Sequence, residues 1–334
     1  MTRFFGGILV LALFSAQTGQ ACADYIFTTI DVPGSAQTVA TGINDAGQIV
    51  GYYNNHGFLL SNGVYTTLDA PGSVGTQAMG INNAGQVVGC YTGVGDAAVT
   101  HGFILSGGSY SPLDVPRSFG GNYPQISTSA TGINESGVVV GTFVYPTSTK
   151  PPVSGAGVFL LSAGVYKDVS EPGGISGAGG INNAGQIVGY AGGHGFLLSG
   201  GIYTDFAVPG SILTSASGLN NTGQIVGTYE DHVGGPDHGF LLSGGSYTTI
   251  DMPGASMTDP NGINNLGEIV GVYFDAAGRE HGFLATPAPV PEPFTLALLC
   301  IGAMGLLGWA WRQSLRIGCG SPTTGMQGPV ARFQ

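Results

Sequence analysis

The chain has 334 residues, of which 61 are Gly and 19 Pro, with 43% hydrophobic and 10% aromatic side chains. That apolar content excludes a disordered chain, which lacks the area to offset its conformational entropy. Only 8% of residues are charged and the net charge is -11, which excludes nucleic-acid binding by phosphate neutralisation, since that needs clustered Lys and Arg.

In chain order, residues 1–23 read as a secretory signal peptide. Arg3 supplies the positive start, Ile8 to Phe14 the apolar core, and Ala21-Cys22-Ala23 the small-residue cleavage site. The apolar run is about half the ~20 residues a membrane span requires. Cys22 lacks the aliphatic residue three positions earlier that a lipoprotein site would carry.

Residues 24–286 are built from one unit repeated six times. Gly-Ile/Leu-Asn recurs at Gly42, Gly80, Gly132, Gly180, Gly218 and Gly262, and each copy continues as Asn-x-x-Gly-x-Ile/Val-Val-Gly. The spacings are those of propeller blades. Each unit reads as four short strands: one ending at Gly-Ile-Asn, one of the Gln-Ile-Val-Gly-Tyr type, one of the His-Gly-Phe-Leu-Leu type, and one running from a Tyr toward a Pro. Asn-x-x-Gly and Ser-x-Gly sequences supply the tight turns.

The sixth unit stops after its third strand, at His281-Gly282-Phe283-Leu284. An orphan fourth strand, Phe27-Thr28-Thr29-Ile30-Asp31-Val32-Pro33, stands at the mature N-terminus and matches Tyr65-Thr66-Thr67-Leu68-Asp69-Ala70-Pro71. Such an end-to-end splice closes a ring and removes exposed sheet edges. The expectation is an all-β, six-bladed β-propeller of four-stranded repeats, closed by an N-terminal strand. The alanines Ala40, Ala78, Ala130, Ala178 and Ala216 are expected where the innermost strands crowd the axis. The recurring Val and Phe positions are expected as core between blades. The repeat resembles the HAF family of extracellular repeats, with His-Gly-Phe in place of His-Ala-Phe. That resemblance implies export and a repeat scaffold, with no established chemistry.

In a four-stranded meander, the Asn-x-x-Gly and Ser-x-Gly turns share one face, and the other two connections share the opposite face. Length variation falls almost wholly on the second set, at Cys90–Thr100, Arg117–Ala130, Thr142–Ala156, Thr228–Asp237 and Val272–Glu280. Variable loops on a rigid scaffold are where binding surfaces form. The candidate binding residues on that face are Arg117, Tyr123, Phe143, Tyr145, Glu230, Asp231, His232 and Asp237. Aromatic rings there offer stacking faces for sugars, and the Glu230–Asp237 segment is the densest ionisable cluster.

No catalytic residue, cofactor or metal is expected. His56, His101, His194, His238 and His281 hold one position in five different blades, so a ring keeps them apart; they read as strand-start imidazoles bonding neighbouring loops. Asp31, Asp69, Asp114 and Asp251 read as turn residues. Cys90 is the sole thiol of the exported body once Cys300 and Cys319 are assigned to the C-terminal region, so no disulfide is expected.

The C-terminus carries a Pro-rich linker over 287–293, an uncharged apolar span over 294–311 long enough to be a transmembrane helix, and a tail over 312–334 that the positive-inside rule places in the cytoplasm. Pro291-Glu292-Pro293, the span, then Arg312 and Arg316 resemble the PEP-CTERM sorting signal of Gram-negative bacteria. The resemblance implies processing by an exosortase and delivery to the cell surface, often in biofilm-forming organisms. Taken together, the sequence reads as an exported, non-catalytic repeat protein, anchored at first by its C-terminal helix with the body on the periplasmic side. It would bind extracellular polysaccharide or a surface partner through its variable face. The alternative is a polysaccharide-acting lyase or hydrolase on the same scaffold.

Overall fold

The computed structural model describes residues 25–96, 99–120, 126–149, 152–170 and 176–289. Tyr123 and the sorting-signal residues Pro291, Glu292, Pro293, Arg312 and Arg316 lie outside them, as do the signal peptide and the apolar span. No helix among the described residues is long and apolar enough to cross a membrane.

Six four-stranded antiparallel sheets form a closed β-propeller. Blade one comprises Val39–Ile43, Ile49–Tyr53, His56–Ser61 and Val64–Leu68, from innermost to outermost. Blade two comprises Ser73–Ile81, Val87–Gly93, His101–Ser106 and Ser109–Pro112, and blade three Ser127–Ile133, Val139–Thr149, Pro152–Ser162 and Val165–Asp168. Blade four comprises Ser176–Ile181, Ile187–Ala191, His194–Ser199 and Ile202–Phe206, and blade five Leu213–Leu219, Ile225–Glu230, His238–Ser243 and Ser246–Thr249. Blade six takes Met257–Ile263, Ile269–Phe274 and Glu280–Pro287 from the end of the repeats and Tyr25–Ile30 from their start. The closure register runs from Tyr25 opposite Pro287 to Ile30 opposite Gly282.

The blades cohere through a repeated apolar seam. The third-strand phenylalanines (Phe58, Phe103, Phe159, Phe196, Phe240 and Phe283) are at most 1% exposed, and the six Ile/Val-Val valines beside them, such as Val50 and Val88, are fully buried. Each cluster draws on two adjacent blades: Val50 of blade one packs with Ala78, Ile81 and Phe103 of blade two. The alanines pack into these seams and not along the axial channel, with Ala178 and Ala216 also bordering its mouth. The reason is a β-bulge in every innermost strand just after the alanine position, for example between Ala40 and Gly42. The bulge turns alanine into the inter-blade core and hands the axial crowding to glycine. A Cβ at Gly42 would lie 2.9 Å from the Met79 carbonyl oxygen and 3.3 Å from the Gly80 Cα, and the contact is passed on around the ring until Gly262 meets Gly42.

The Asn-x-x-Gly turns do more than reverse the chain. In blade one the Asn44 Oδ1 accepts from the backbone N–H groups of Ala46 and Gln48, which fixes the turn. Its Nδ2 donates to the carbonyl oxygen of Asn82 in the next blade, 3.1 Å away. The same donation runs from Asn82 to Asn134, Asn182, Asn220, Asn264 and back to Asn44. A second ring lies one residue on. The Asp45 N–H donates to Asn83, and the relay passes through Glu135, Asn183, Asn221 and Asn265 to return to the Asp45 carboxylate. The Asp45 carboxyl is held below its ordinary pKa: burial pushes upward, but donation from Asn265 and Asn83 outweighs it. One face of the propeller is thus laced shut by two rings of hydrogen bonds.

Candidate functional site on the variable face

The opposite face carries the connections that differ. Its periphery is built from a three-residue module. In blade one the His56 Nδ1 pairs with the Asp69 carboxylate at 2.9 Å, and its ring packs on Tyr53 at a centroid distance of 5.5 Å. Blade two repeats this with His101, Asp114 and Tyr91, blade five with His238, Asp251 and Tyr229, and blade six with His281, Asp31 and Tyr273. The histidines and the pre-proline aspartates are therefore partners within a blade. Each pair ties the start of the third strand to the end of the fourth. No group of three or more His, Cys, Asp or Glu suited to a metal ion occurs among the described residues.

The module is missing from two adjacent blades. In blade three its positions are held by Phe143, Gly157 and Ser170, and a Cβ at Gly157 would lie 2.6 Å from the Phe143 ring. Phe143 folds into that space, is 2% exposed, and contacts Phe119 edge-on at 5.4 Å. Blade four has Ala191, His194 and Ala207 at the same positions.

The residues expected at the binding face separate into distinct roles. Phe143 is core, and Tyr145 is half-buried, stacked on Phe143 at 6.0 Å. The segment Thr142–Ala156 is not a loop: its ends extend the second and third strands of blade three into a paired hairpin, from Thr142 opposite Val158 to Thr149 opposite Pro152. β-branched Val and Thr along Val139–Thr149 favour that extension. Arg117 is exposed at the start of a 3-10 turn, Arg117–Gly120. Glu230 is half-buried at the end of its strand, while Asp231 and His232 are exposed at the loop tip and hydrogen-bonded to each other. Asp237 is drawn inward; burial raises its carboxyl above the ordinary value against the lowering influence of His238. Cys90 is free and buried, and desolvation raises its thiol.

Asp259 on the innermost strand of blade six escaped the loop-based reading. Its Oδ1 is shielded from solvent and has no hydrogen-bond partner among the described residues. Burial, with the Asp237 and Glu280 carboxylates adding like charge, pushes its pKa to about 7. A folded-state pKa above the unfolded value means that the unfolded chain loses its proton first as pH rises. Stability is therefore whole below about pH 4 and is lost progressively toward pH 7. From the shift, the loss attributable to this group is as much as about 4 kcal/mol. Denaturant unfolding of the wild type and Asp259→Asn across pH 4 to 8 is expected to show equal stability at the acid end and a more stable variant at pH 8. Parallel curves would show that Asp259 is not the titrating group.

At the centre of this face the axial mouth opens beside blade four into a cavity of about 190 Å³, bordered by Thr41, Met79, Thr131, Tyr190, Ser217 and Asn261. Tyr190 is 46% exposed although it stands in a strand. Its ring covers Gly177 across the strand pair, where a Cβ would lie 2.4 Å from Cε1. Gly177 and Asp259 share a register position that Val39, Gln77, Ser129 and Ser215 fill in the other blades.

Residues 289–314 match the PEP-CTERM protein-sorting motif. This motif marks an exported protein made as a membrane-anchored precursor and processed by an exosortase. No curated protein matches the chain. Among solved structures, the chain is similar to a protein of unknown function from Dyadobacter fermentans (12% identity, 78% of this chain and 98% of that one, TM-score 0.50). It is similar also to a candidate TolB from Agrobacterium tumefaciens (12% identity, 76% and 91%, TM-score 0.50). A variant of the Aleuria aurantia lectin in complex with Fucα1-6GlcNAc aligns at 13% identity over 80% and 100%, with a TM-score of 0.47. The first two likenesses bear on the fold alone.

Proposed function

We propose that this exosortase-sorted protein is a non-catalytic scaffold displayed on the surface of a Gram-negative cell, binding extracellular polysaccharide or a surface partner through its variable face. The observation that carries the reading is the division of labour between the faces. One is locked by two rings of asparagine-centred hydrogen bonds; the other holds nearly all the differences between blades. Both ends of the propeller belong to the locked face. Pro287 pairs with Tyr25, and the Tyr25 hydroxyl donates to the carbonyl oxygen of Gly267 in the blade-six turn at 3.3 Å. A C-terminal anchor helix and a periplasmic body before sorting complete the reading, and the likeness of the repeat to extracellular HAF repeats agrees with it.

The test is co-sedimentation of the full chain with matrix polysaccharide from the producing cells, followed by mass spectrometry of the carbohydrate. The expected result is retention of an intact polymer, weakened when the blade-three hairpin is shortened beyond Tyr145 and Gly155. A shortened or unsaturated product would instead make the protein a hydrolase or lyase and direct attention to Asp237, Asp259 and Glu280, where a carboxyl with pKa about 7 stands beside two further carboxylates.

A further inference from the structure

The innermost strand of blade four, Ser176–Ile181, reads Ser-Gly-Ala-Gly-Gly-Ile. At two of its glycines every other blade carries a side chain: Gly179 stands where Thr41, Met79, Thr131, Ser217 and Asn261 line the axis. The omission notches the axial mouth on one side. Gly177 lets the Tyr190 ring lie down over the strand, and Gly179 fits tightly against blade five, where a Cβ would be 2.5 Å from the Ala216 carbonyl oxygen. The cavity of about 190 Å³ stands in front of the ring.

Its lining has a consistent chemistry. Tyr190 presents an exposed aromatic ring, and its hydroxyl has no hydrogen-bond partner among the described residues. Thr41 spends its hydroxyl proton on the Ala78 or Val50 carbonyl, and Asn261 donates its amide to Ala40. The Thr41 oxygen and the Asn261 Oδ1 are left as acceptors, and Ser215 and Ser217 add hydroxyls. No charged side chain borders the cavity among the described residues, and the net charge of -11 disfavours a polyanion. A sugar ring matches this set: its C–H face packs on an aromatic ring while its hydroxyls donate to fixed acceptors. The volume falls below the roughly 300 Å³ at which pockets for drug-sized ligands begin, so it suits one ring and not a buried chain.

We infer that the axial mouth at blade four is a subsite for a single pyranose unit of an uncharged glycan, stacked on Tyr190. The inference rests on the reading that the variable face binds glycan, and narrows it to one place and one ligand class. The experiment is a glycan array carrying neutral and anionic oligosaccharides, probed with the full chain, Tyr190→Ala and Tyr190→Phe. Thermal unfolding of each variant checks that the fold is retained. The expected result is binding to neutral glycans, lost at least tenfold in Tyr190→Ala and kept in Tyr190→Phe. Neutral-glycan binding that Tyr190→Ala leaves unchanged overturns this subsite while sparing the glycan reading. Binding confined to anionic glycans overturns the ligand class, and no binding by the wild type overturns the glycan reading with it.

Discussion

Gly227→Ala should abolish the native fold or lower its stability by about 4 kcal/mol or more, above the 1–3 kcal/mol typical of an overpacked core. Gly227 lies in the second strand of blade five, and a Cβ there would sit 2.0 Å from the Ser215 carbonyl oxygen and 2.9 Å from the Ala216 Cα. Both atoms are backbone of the neighbouring strand, so no side chain can swing aside. Relief requires the two innermost strands to part, and that breaks the ladder that holds the bulge and the axial glycine in place. Its φ is not left-handed, which makes the substitution a test of space alone. The control is Gly63→Ala. That glycine has φ +77° and nothing within 4 Å of an added Cβ, so the change should cost about 1–2 kcal/mol, the penalty of a left-handed L-residue. Thermal and denaturant unfolding of the full chain decide the matter. Equal losses at the two positions would mean that the close approach is not what fixes this glycine.

The same position shows why the architecture was legible. Gly51, Gly89, Gly141, Gly189, Gly227 and Gly271 each stand in register opposite the phenylalanine of the third strand; at Gly51 a Cβ would meet the Phe58 ring at 2.8 Å. A constraint repeated in every blade leaves the same residue in every repeat, and so writes itself into the sequence as periodicity. The orphan strand at the N-terminus was readable for the same reason, because Phe27–Pro33 had five fourth strands to match.

What the periodicity did not carry was direction. Alanine recurs at the innermost strand, but the bulge that turns it away from the axis depends on hydrogen-bond register, to which a residue count is blind. The pairing of His56 with Asp69 links residues thirteen apart in sequence, and each alone resembles an ordinary loop polar group. The site was harder still. Loop length pointed at Thr142–Ala156, where Val and Thr in fact continue the ladder and Phe143 enters the core. Tyr190 and Asp259 occupy regular strands, where side chains are normally read as scaffold. Asp259, and the Gly177 that the Tyr190 ring covers, stand out only at one register position compared across the blades; the position of Tyr190 itself holds Tyr52 in blade one.

Deleting Tyr25–Ile30 should cost the protein its cooperative unfolding and drive it to aggregate. These six residues supply the outermost strand of blade six, pairing in continuous register with Phe283 and its neighbours. Without them Glu280–Pro287 becomes a bare sheet edge, a template for pairing with other chains. Phe283, now fully buried, would lose Phe27, which packs on it at 5.7 Å. Ile30 would vanish from the seam with blade one, where it is 5% exposed and packs with Phe58 and Val270. A milder variant isolates the seam from the edge. Ile30→Ala keeps the strand and its hydrogen bonds but leaves a cavity worth about 2–5 kcal/mol. At about 2–4 °C per kcal/mol for a domain of 150–250 residues, its melting temperature should fall by roughly 4 °C or more with a single transition preserved. The deletion should lose the single transition altogether, as read by calorimetry and light scattering. Should the deleted chain melt as sharply as the wild type, the N-terminal strand would be an ornament on a ring that closes without it. The six asparagine links, from Asn44 through to Asn264 and back, would then have to bear the closure alone.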